Sequence, residues 1–462
     1  MSSRPLFRLL PVRGPKGNKG LELRNLEWPD LTFWRKTVLK PFLIPGGVIL
    51  LFAAILLQSG YVSFSPAAID FYYYAVFVSG CLLAWRFHSS RILSILVTLV
   101  LAHRAIEFFA SGQLATSGPG RVAFEAIAFL LPLNFVLISS TRERGLGLSV
   151  ITPKVAVLFF QSVVIAVLCR PDQTSGPSLL HPALVGEQSF QWTSIPQPAL
   201  VAFAMAFVAL FVRYLFSHKP VESGLLWALA ATFLGMQAHG TGKTGSAYFA
   251  TAGLLMIASI IENSYVLAYH DELTGLPSRR AFNDALLRLQ SPYSIAAVDI
   301  DHFKSVNDTH GHDTGDQVLR LVAGRLAQVG GGGQAFRVGG EEFSILFPGK
   351  SSKEVLEHLE SLRKTIEASS FRLRSGEERR HNEPRRSDRR IAPRASAAPK
   401  KAQTKTLDGN LFVTVSIGVA QAAGPTQAVE KIIQQADKAL YRAKQGGRNR
   451  IESASRSRAH AS

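Results

Sequence analysis

The pattern of apolar and polar positions changes character near residue 262. From Phe42 onward, apolar runs of roughly membrane-spanning length follow one another with few charges inside them. They fall near 42–58, 67–87, 91–110, 121–140, 152–169, 197–217, 223–240 and 245–262. This predicts eight spanning helices within 42–262; the first and fifth runs are short, so counts of seven or six stay open. After the last run no Gly or Pro occurs until Gly275, which predicts a linker helix over 263–273 that continues the final span. Beyond it the periods shorten. The predicted elements are a helix over 279–289 capped by Ser278, a strand from Ser294 to Ile300, a short helix opened by His302 and Phe303, and an amphipathic helix over 316–328. A hairpin pairing 334–338 with 343–347 follows, then a helix over 352–369, a strand over 412–420 and a helix over 427–445. Helices interleaved with these strands predict an α/β (α+β) domain with a mixed sheet, set behind an α-helical polytopic membrane domain.

Charge adds topology. The 462 residues carry a net charge of +18, and the positive residues are unevenly placed. Arg4, Arg8, Arg13, Lys16, Lys19, Arg24, Arg35, Lys36 and Lys40 fill a basic tail over 1–41, and Arg86, Arg91, Arg142, Arg144, Lys154, Arg213 and Lys219 fall in alternate connections. The other connections hold only Arg170 and Lys243, with Arg121 at a boundary. By the positive-inside rule the N-terminal tail and everything after Glu262 lie in the cytoplasm. The tail lacks a single apolar core beside a cleavage site, so it does not read as an ordinary signal peptide. A charge confined to the tail, short connections and one late insert does not read as a nucleic-acid surface. Two cysteines, Cys81 and Cys169, give neither a disulfide framework nor zinc spacing. A run of Arg with Pro and Ala at about 374–406 has too few apolar residues to fold; attraction to an anionic membrane surface and a tolerated insertion both remain open for it.

Within the spans sit Asp70, His103, Arg104, Glu107 and Glu125. Glu107 lies three residues after Arg104, so the two can meet on one helix face. A signal-binding site and an internal ion pair that fixes packing are the two readings.

The chemistry gathers in the second half. The stretch Arg337-Val338-Gly339-Gly340-Glu341-Glu342-Phe343 puts two glycines and two carboxylates in a hairpin turn where a ligand can approach the backbone. Asp299 ends a strand; if that strand neighbours the hairpin, Asp299 and Glu341 converge as hard oxygen ligands suited to Mg²⁺ and a phosphate substrate. Lys304 and the N–H groups of His302 and Phe303 follow the strand and can meet a phosphate. Asn307 and Asp316 can pair with a purine edge, and a carboxylate at 316 selects guanine over adenine. Lys444 and Arg448 flank Gly446-Gly447 and suit β- and γ-phosphates.

Residues 271–450 resemble the GGDEF family of diguanylate cyclases. The likeness rests on Asp271-Glu-Leu-Thr-Gly-Leu-Pro-Ser-Arg-Arg280, Val298-Asp-Ile-Asp-His-Phe-Lys-Ser-Val-Asn-Asp308, Gly311-His-Asp-Thr-Gly-Asp316 and Arg337-Val-Gly-Gly-Glu-Glu-Phe343. Thr414-Val-Ser-Ile-Gly-Val-Ala420 and Ala436-Asp-Lys-Ala-Leu-Tyr-Arg-Ala-Lys-Gln-Gly-Gly-Arg-Asn449 complete it. The resemblance implies a palm-like fold shared with nucleotidyl cyclases and the condensation of two GTP into cyclic di-GMP and two pyrophosphates. It implies Mg²⁺, with Mn²⁺ as an alternative, held by Asp299, Glu341 and the Ile300 carbonyl. Glu341, with Glu342 beside it, would be the base for the 3′-hydroxyl, and Lys304 the transition-state lysine. Asn307 and Asp316 would contact guanine, His312, His302 and Phe303 the substrate further along, and Lys444 and Arg448 the phosphates. Each domain would hold one GTP, so catalysis requires a homodimer at the bacterial inner membrane, with cyclic di-GMP receptors downstream and no nucleic-acid partner. One departure stands out. The family's product-inhibition site is Arg-x-x-Asp placed five residues before the glycines, and here that window is Gly330-Gly331-Gly332-Gly333, which implies no product-inhibition site there and feedback that is absent or much weakened. The rival readings are a catalytically silent nucleotide-binding receptor and a transporter with an appended regulatory domain; the second is disfavoured because neither paired repeats nor broken helices are evident.

Overall fold

A computed structural model describes residues 42–59, 65–110, 118–170, 192–372, 406–407, 410–422, 424 and 428–454. The basic tail and nearly all of the arginine-rich insert fall outside the described residues. The chain divides into two compact units, Met1–Ser264 and Tyr265–Ser462.

The first unit is helical. A π-helical turn, Leu43–Gly47, leads into α1 (Val48–Gln58), followed by α2 (Pro66–Arg86), α3 (Ser90–Ala110), α4 (Gly118–Ser140) and α5 (Leu148–Leu168). Then come α6 (Gln197–Ser217), α7 (Pro220–Gln237) and α8 (Gly242–Tyr269). Among the described residues, six helices are long and apolar enough to cross a membrane: α2, α3, α4, α5, α6 and α8. The other two of the eight predicted runs are helical too, but the apolar stretch Leu43–Gln58 is short, and the 18-residue α7 carries Glu222. Phe71, Phe108, Phe159 and Phe216 stand exposed on these helices, a surface suited to lipid rather than water. Six such helices suggest a multi-pass membrane protein.

Several charges inside this unit are matched. Glu222, almost fully buried, accepts from Arg91 Nη2 and Arg213 Nε, each at 2.9 Å. Glu107 pairs with Arg104 at 2.5 Å, and Glu125 pairs with Arg121. Asn134 on α4 and Gln161 on α5 exchange amide hydrogen bonds of 2.9 and 3.0 Å. The Glu143 carboxylate accepts from the N–H groups of Ser90 and Arg91 at the start of α3, where negative charge complements the helix dipole.

The second unit is α/β. After α8 come α9 (Arg279–Leu287), β1 (Tyr293–Ile300), α10 (Phe303–His310), α11 (His312–Leu326), β2 (Gln334–Arg337), β3 (Glu342–Pro348) and α12 (Ser352–Glu367). The short strands β4 (Ser370–Arg372), β5 (Thr406–Leu407) and β6 (Asn410–Phe412) precede β7 (Val415–Ala422), α13 (Val429–Gln445) and β8 (Ile451–Ser453). The main sheet has the order β2-β3-β1-β7-β8, and β4-β6-β5 form a small second sheet. All main-sheet pairs are antiparallel except β7 with β8. Central β1 is buried throughout. Ala296, Val298 and Ile300 pack into one core with Val318 and Leu359, and Ile295 and Ala297 into another with Phe282 and Ile432. Both faces of the strand are apolar because helices cover both sides. Gly418 on β7 lies where α13 crosses: a Cβ there would collide with the backbone of Ala436 and Leu440.

Four local expectations need correction. The amphipathic helix expected over 316–328 runs from His312 to Leu326; Gly315 sits inside it, where a Cβ would collide with the Asn307 side chain. The strand expected over 412–420 starts at Val415, because the Thr414 carbonyl accepts from Asp301 N–H instead of joining the ladder. Phe412 belongs to β6. Ser278 precedes α9, but its hydroxyl donates back to the Ala268 carbonyl and makes no side-chain cap bond.

Candidate active site

The site is assembled where β1 ends. Asp299 lies opposite Glu342 in the β1–β3 register, and Ile300 N–H points to the Glu341 carbonyl at 3.4 Å. The glycine turn therefore closes over the C-terminal end of β1. Asp299 is buried, and the Lys444 ammonium, in the last turn of α13, lies 2.8 Å from its Oδ2. Burial pushes the Asp299 carboxyl above its usual range; Lys444 draws it back only in part, and Glu342 and Asp301 raise it further. Burial also raises Glu341, with the Asp299 charge adding to it. Asp437 on α13 is raised by its own burial and then by Glu342. Negative charge thus accumulates at one end of the sheet with Lys444 as its nearest cation.

Such a set favours a divalent cation. Its oxygens are hard donors, and their ionised forms are held at a disadvantage that added positive charge would relieve. Among the described residues, no group of three or more His, Cys, Asp or Glu side chains converges as a metal cluster. An ion here would therefore take backbone and ligand oxygens besides the carboxylates, which suits Mg²⁺.

The remaining predicted residues lie along the turn from β1 into α10 and α11. His302 caps α10 in the left-handed region, with φ 58°, and is exposed. Phe303 is buried in the core, so only its backbone faces the turn. Lys304 is exposed in the first turn of α10. The Asn307 side chain lies over the Cα of Gly315, next to half-buried Asp316. His312 is exposed at the first position of α11. Arg448 is exposed in the turn after α13, also with positive φ. The structure brings Asp299, Glu341, Glu342 and Lys444 into one charged group, and Asn307 beside the turn that carries Asp316.

Sequence reading passed over four residues that hold this geometry. Arg337 donates from Nη1 to Asp271 Oδ1 at 2.7 Å, from Nη2 to the Gly340 carbonyl at 2.7 Å and from Nε to the Gly339 carbonyl at 3.2 Å. Asp271 also accepts from Thr274 N and Oγ1. Its burial alone would raise its carboxyl, but these bonds from Thr274 and Arg337 prevail and hold it below the usual range. The glycine turn is therefore tied to the turn at 271–274. Asp301 and Asn449 make a second set of bonds, treated below. The available signal was position: a long cation just before a glycine pair, and a second carboxylate two residues after the first.

A domain profile described as "Diguanylate cyclase, GGDEF domain" matches residues 268–383 and 380–450. This chain carries a GGDEF domain of the diguanylate cyclase family. The response regulator PleD of Caulobacter vibrioides is 34% identical over 199 residues, 41% of this chain and 37% of PleD. The diguanylate cyclase VdcA of Vibrio cholerae is 34% identical over 188 residues, 40% of this chain and 46% of VdcA. The chain thus spans less than half the length of these curated relatives. A solved structure of the coiled coil and GGDEF domain of DgcB from Caulobacter crescentus, in complex with c-di-GMP, is 30% identical. It covers 44% of this chain and 95% of that one, with a TM-score of 0.36. The GGDEF motif itself is Gly339-Gly340-Glu341-Glu342-Phe343 here.

Proposed function

We propose that the chain is a membrane-bound diguanylate cyclase, condensing two GTP into cyclic di-GMP and two pyrophosphates. The observation that carries this reading is the acidic group at the end of β1, with Asp299 and Glu341 both raised by burial and Lys444 on the Asp299 oxygen. Carboxylates placed at such a disadvantage are maintained for chemistry rather than for stability.

Asp299, Glu341 and the Ile300 carbonyl would hold Mg²⁺, which when bound offsets charge on a triphosphate. Asn307 and Asp316 hold the guanine, and His312 and the N–H groups of His302 and Phe303 contact the nucleotide beyond it. Lys444 and Arg448 hold the β- and γ-phosphates. Glu341, flanked by Glu342, takes the proton from a 3′-hydroxyl. Its raised affinity for protons suits it to that role. The freed oxygen attacks the α-phosphorus of the GTP on a second copy, the α–β bridge breaks, and pyrophosphate leaves. Lys304 stabilises the charge that builds on the phosphorus oxygens. Two such transfers close the ring, so two copies of the domain must face each other.

The helical half anchors the enzyme in the bacterial inner membrane with the GGDEF domain in the cytoplasm, where GTP is available; the basic alternate connections support that orientation. The count of eight spans, the linker over 263–273 and regulation by a signal through the membrane half belong to the same proposal. The Gly330–Gly333 window supports synthesis without product inhibition at that place. Adding cyclic di-GMP to the working enzyme should leave its rate unchanged, and tight inhibition lost on altering 330–333 would refute that part.

The test is direct. Detergent-solubilised protein with GTP and Mg²⁺ should yield cyclic di-GMP, and Glu341→Ala should yield none. No product from either protein would favour the silent nucleotide-binding receptor instead.

A further inference from the structure

The motif Asp299-Ile300-Asp301 places two carboxylates two residues apart at the end of β1, yet they face different partners. Asp299 meets Lys444 and the charge of the glycine turn. Asp301 is just as buried, and both its oxygens are taken. Oδ1 accepts from Ser416 Oγ at 2.6 Å. Oδ2 accepts from Thr414 Oγ1 at 2.7 Å and from Asn449 N–H at 3.0 Å. An acceptor filled in this way is no metal ligand.

The Asn449 bond leads to the turn after α13. That turn runs through Gly447, Arg448 and Asn449 with φ of 112°, 64° and 48°, a left-handed run that side-chain-bearing residues avoid unless held. Asn449 is held on three sides. Its N–H goes to Asp301, its Oδ1 accepts from Arg363 Nη1 at 2.6 Å and its Nδ2 donates to Glu367 Oε1 at 2.8 Å. Arg363 is itself fixed by Glu360 and Glu367. Arg448 therefore projects from a turn whose shape is imposed by β1 on one side and α12 on the other, and Lys444 lies one helical turn before it.

We infer that Asp301 and Asn449 are positioning residues for triphosphate recognition: through the turn at 446–450 they set where Lys444 and Arg448 present their charges. They touch neither nucleotide nor metal, and act only through those two cations. The inference rests on the cyclase reading for the identity of the ligand.

The predicted signature is selective. Guanosine monophosphate lacks the β- and γ-phosphates, so a misplaced turn should weaken GTP and spare GMP. Equilibrium binding of each nucleotide to the detergent-solubilised full chain with Mg²⁺ reads this out. Asn449→Ala and Arg363→Met should each weaken GTP about tenfold and leave GMP within about twofold, the scale expected when a supporting residue is removed. Asp301→Asn keeps an acceptor toward Asn449 N–H and can turn its amide donor to Ser416, so GTP binding should stay within about threefold of wild type, whereas Asp301→Ala removes every acceptor and should weaken GTP about tenfold while sparing GMP. Thermal unfolding of each variant identifies one that fails to fold, and Arg363→Met, outside the core of the turn, then decides. Unchanged GTP affinity in the folded variants, an equal fall for GTP and GMP, or a hundredfold loss in Asp301→Asn would overturn the assignment. Wild type that binds GTP with this pattern but forms no cyclic di-GMP would sink the cyclase reading and leave the positioning role standing; wild type that binds no GTP would end both.

Discussion

The two halves of the molecule treat charge in opposite ways. In the helical half, three carboxylates are matched to cations: Glu222 to Arg91 and Arg213, Glu107 to Arg104, Glu125 to Arg121. In the GGDEF domain, Asp299, Glu341, Glu342 and Asp437 crowd toward one end of a sheet around Lys444. A buried carboxylate with a dedicated partner is a packing device, since losing either member leaves a charge uncompensated. Like charges gathered around one buried carboxylate, Asp299, lower stability and persist for what they bind. The same residue types thus carry different meanings, and the like-charged neighbours around Asp299 distinguish them.

The sharpest test of the contrast removes one carboxylate from each half. Asp299→Asn should lower cyclic di-GMP formation by roughly a thousandfold, measured with GTP and Mg²⁺. The same variant should unfold at an equal or slightly higher temperature, because it relieves repulsion. Arg91→Met should do the reverse, lowering the stability of the helical half by about 3 kcal/mol while leaving nucleotide binding intact. Chemical denaturation in detergent, read beside GTP binding, separates the two. If Arg91→Met were harmless and Asp299→Asn destabilising, the distinction would fail.

Arg337→Ala sits between these extremes, since its side chain clamps the glycine turn without belonging to the acidic group. Activity should fall by about 10-fold to 100-fold through misplacement of Glu341, and stability by about 2 kcal/mol through the lost bonds to Asp271 and two carbonyls. Activity unchanged at full folding would show that the clamp is dispensable.

The smallest expected effect is on pH dependence, where the two kinds of carboxylate have opposite signs. Asp271 is lowered in the folded domain, so its contribution is fully present above about pH 4 and is lost as pH falls through its folded value. Asp299 and Glu341 are raised, so without a divalent ion the domain should become slightly more stable as pH falls from neutral through their folded values. Mg²⁺ should remove that rise. Stability falling steadily from pH 7 to 5 in metal-free buffer would contradict it.

Much of this was legible in advance, for uneven reasons. Hydropathy located the helical half because an apolar run longer than a strand has few other fates in a chain. It did not separate runs that meet the spanning criteria from those that fall short, such as α7, where a single Glu222 is absorbed by two arginines on other helices. Alternation and glycine placement located the sheet and the glycine turn. They missed the start of α11, because a glycine inside a helix and a glycine ending one look alike until the neighbour that needs the space, Asn307, is in place. The residues proposed for chemistry were visible as types in motifs. Arg337, Asp301 and Asn449 escaped because their roles are relations between distant positions: Arg337 to Asp271, and Asn449 to Asp301 and Arg363. Such pairings belong to the fold and not to any local window.

The four glycines at 330–333 have a bearing on how this domain could change. Gly331 and Gly332 have positive φ, the His358 ring lies against Gly330 and Gly331, and Phe347 and Val329 crowd Gly333. An arginine at 330 would have to displace that ring, and an aspartate at 333 would drive its Cβ into the buried Phe347. Restoring an off-switch there is therefore not a matter of two point mutations: the loop, the ring above it and a core aromatic would have to change together.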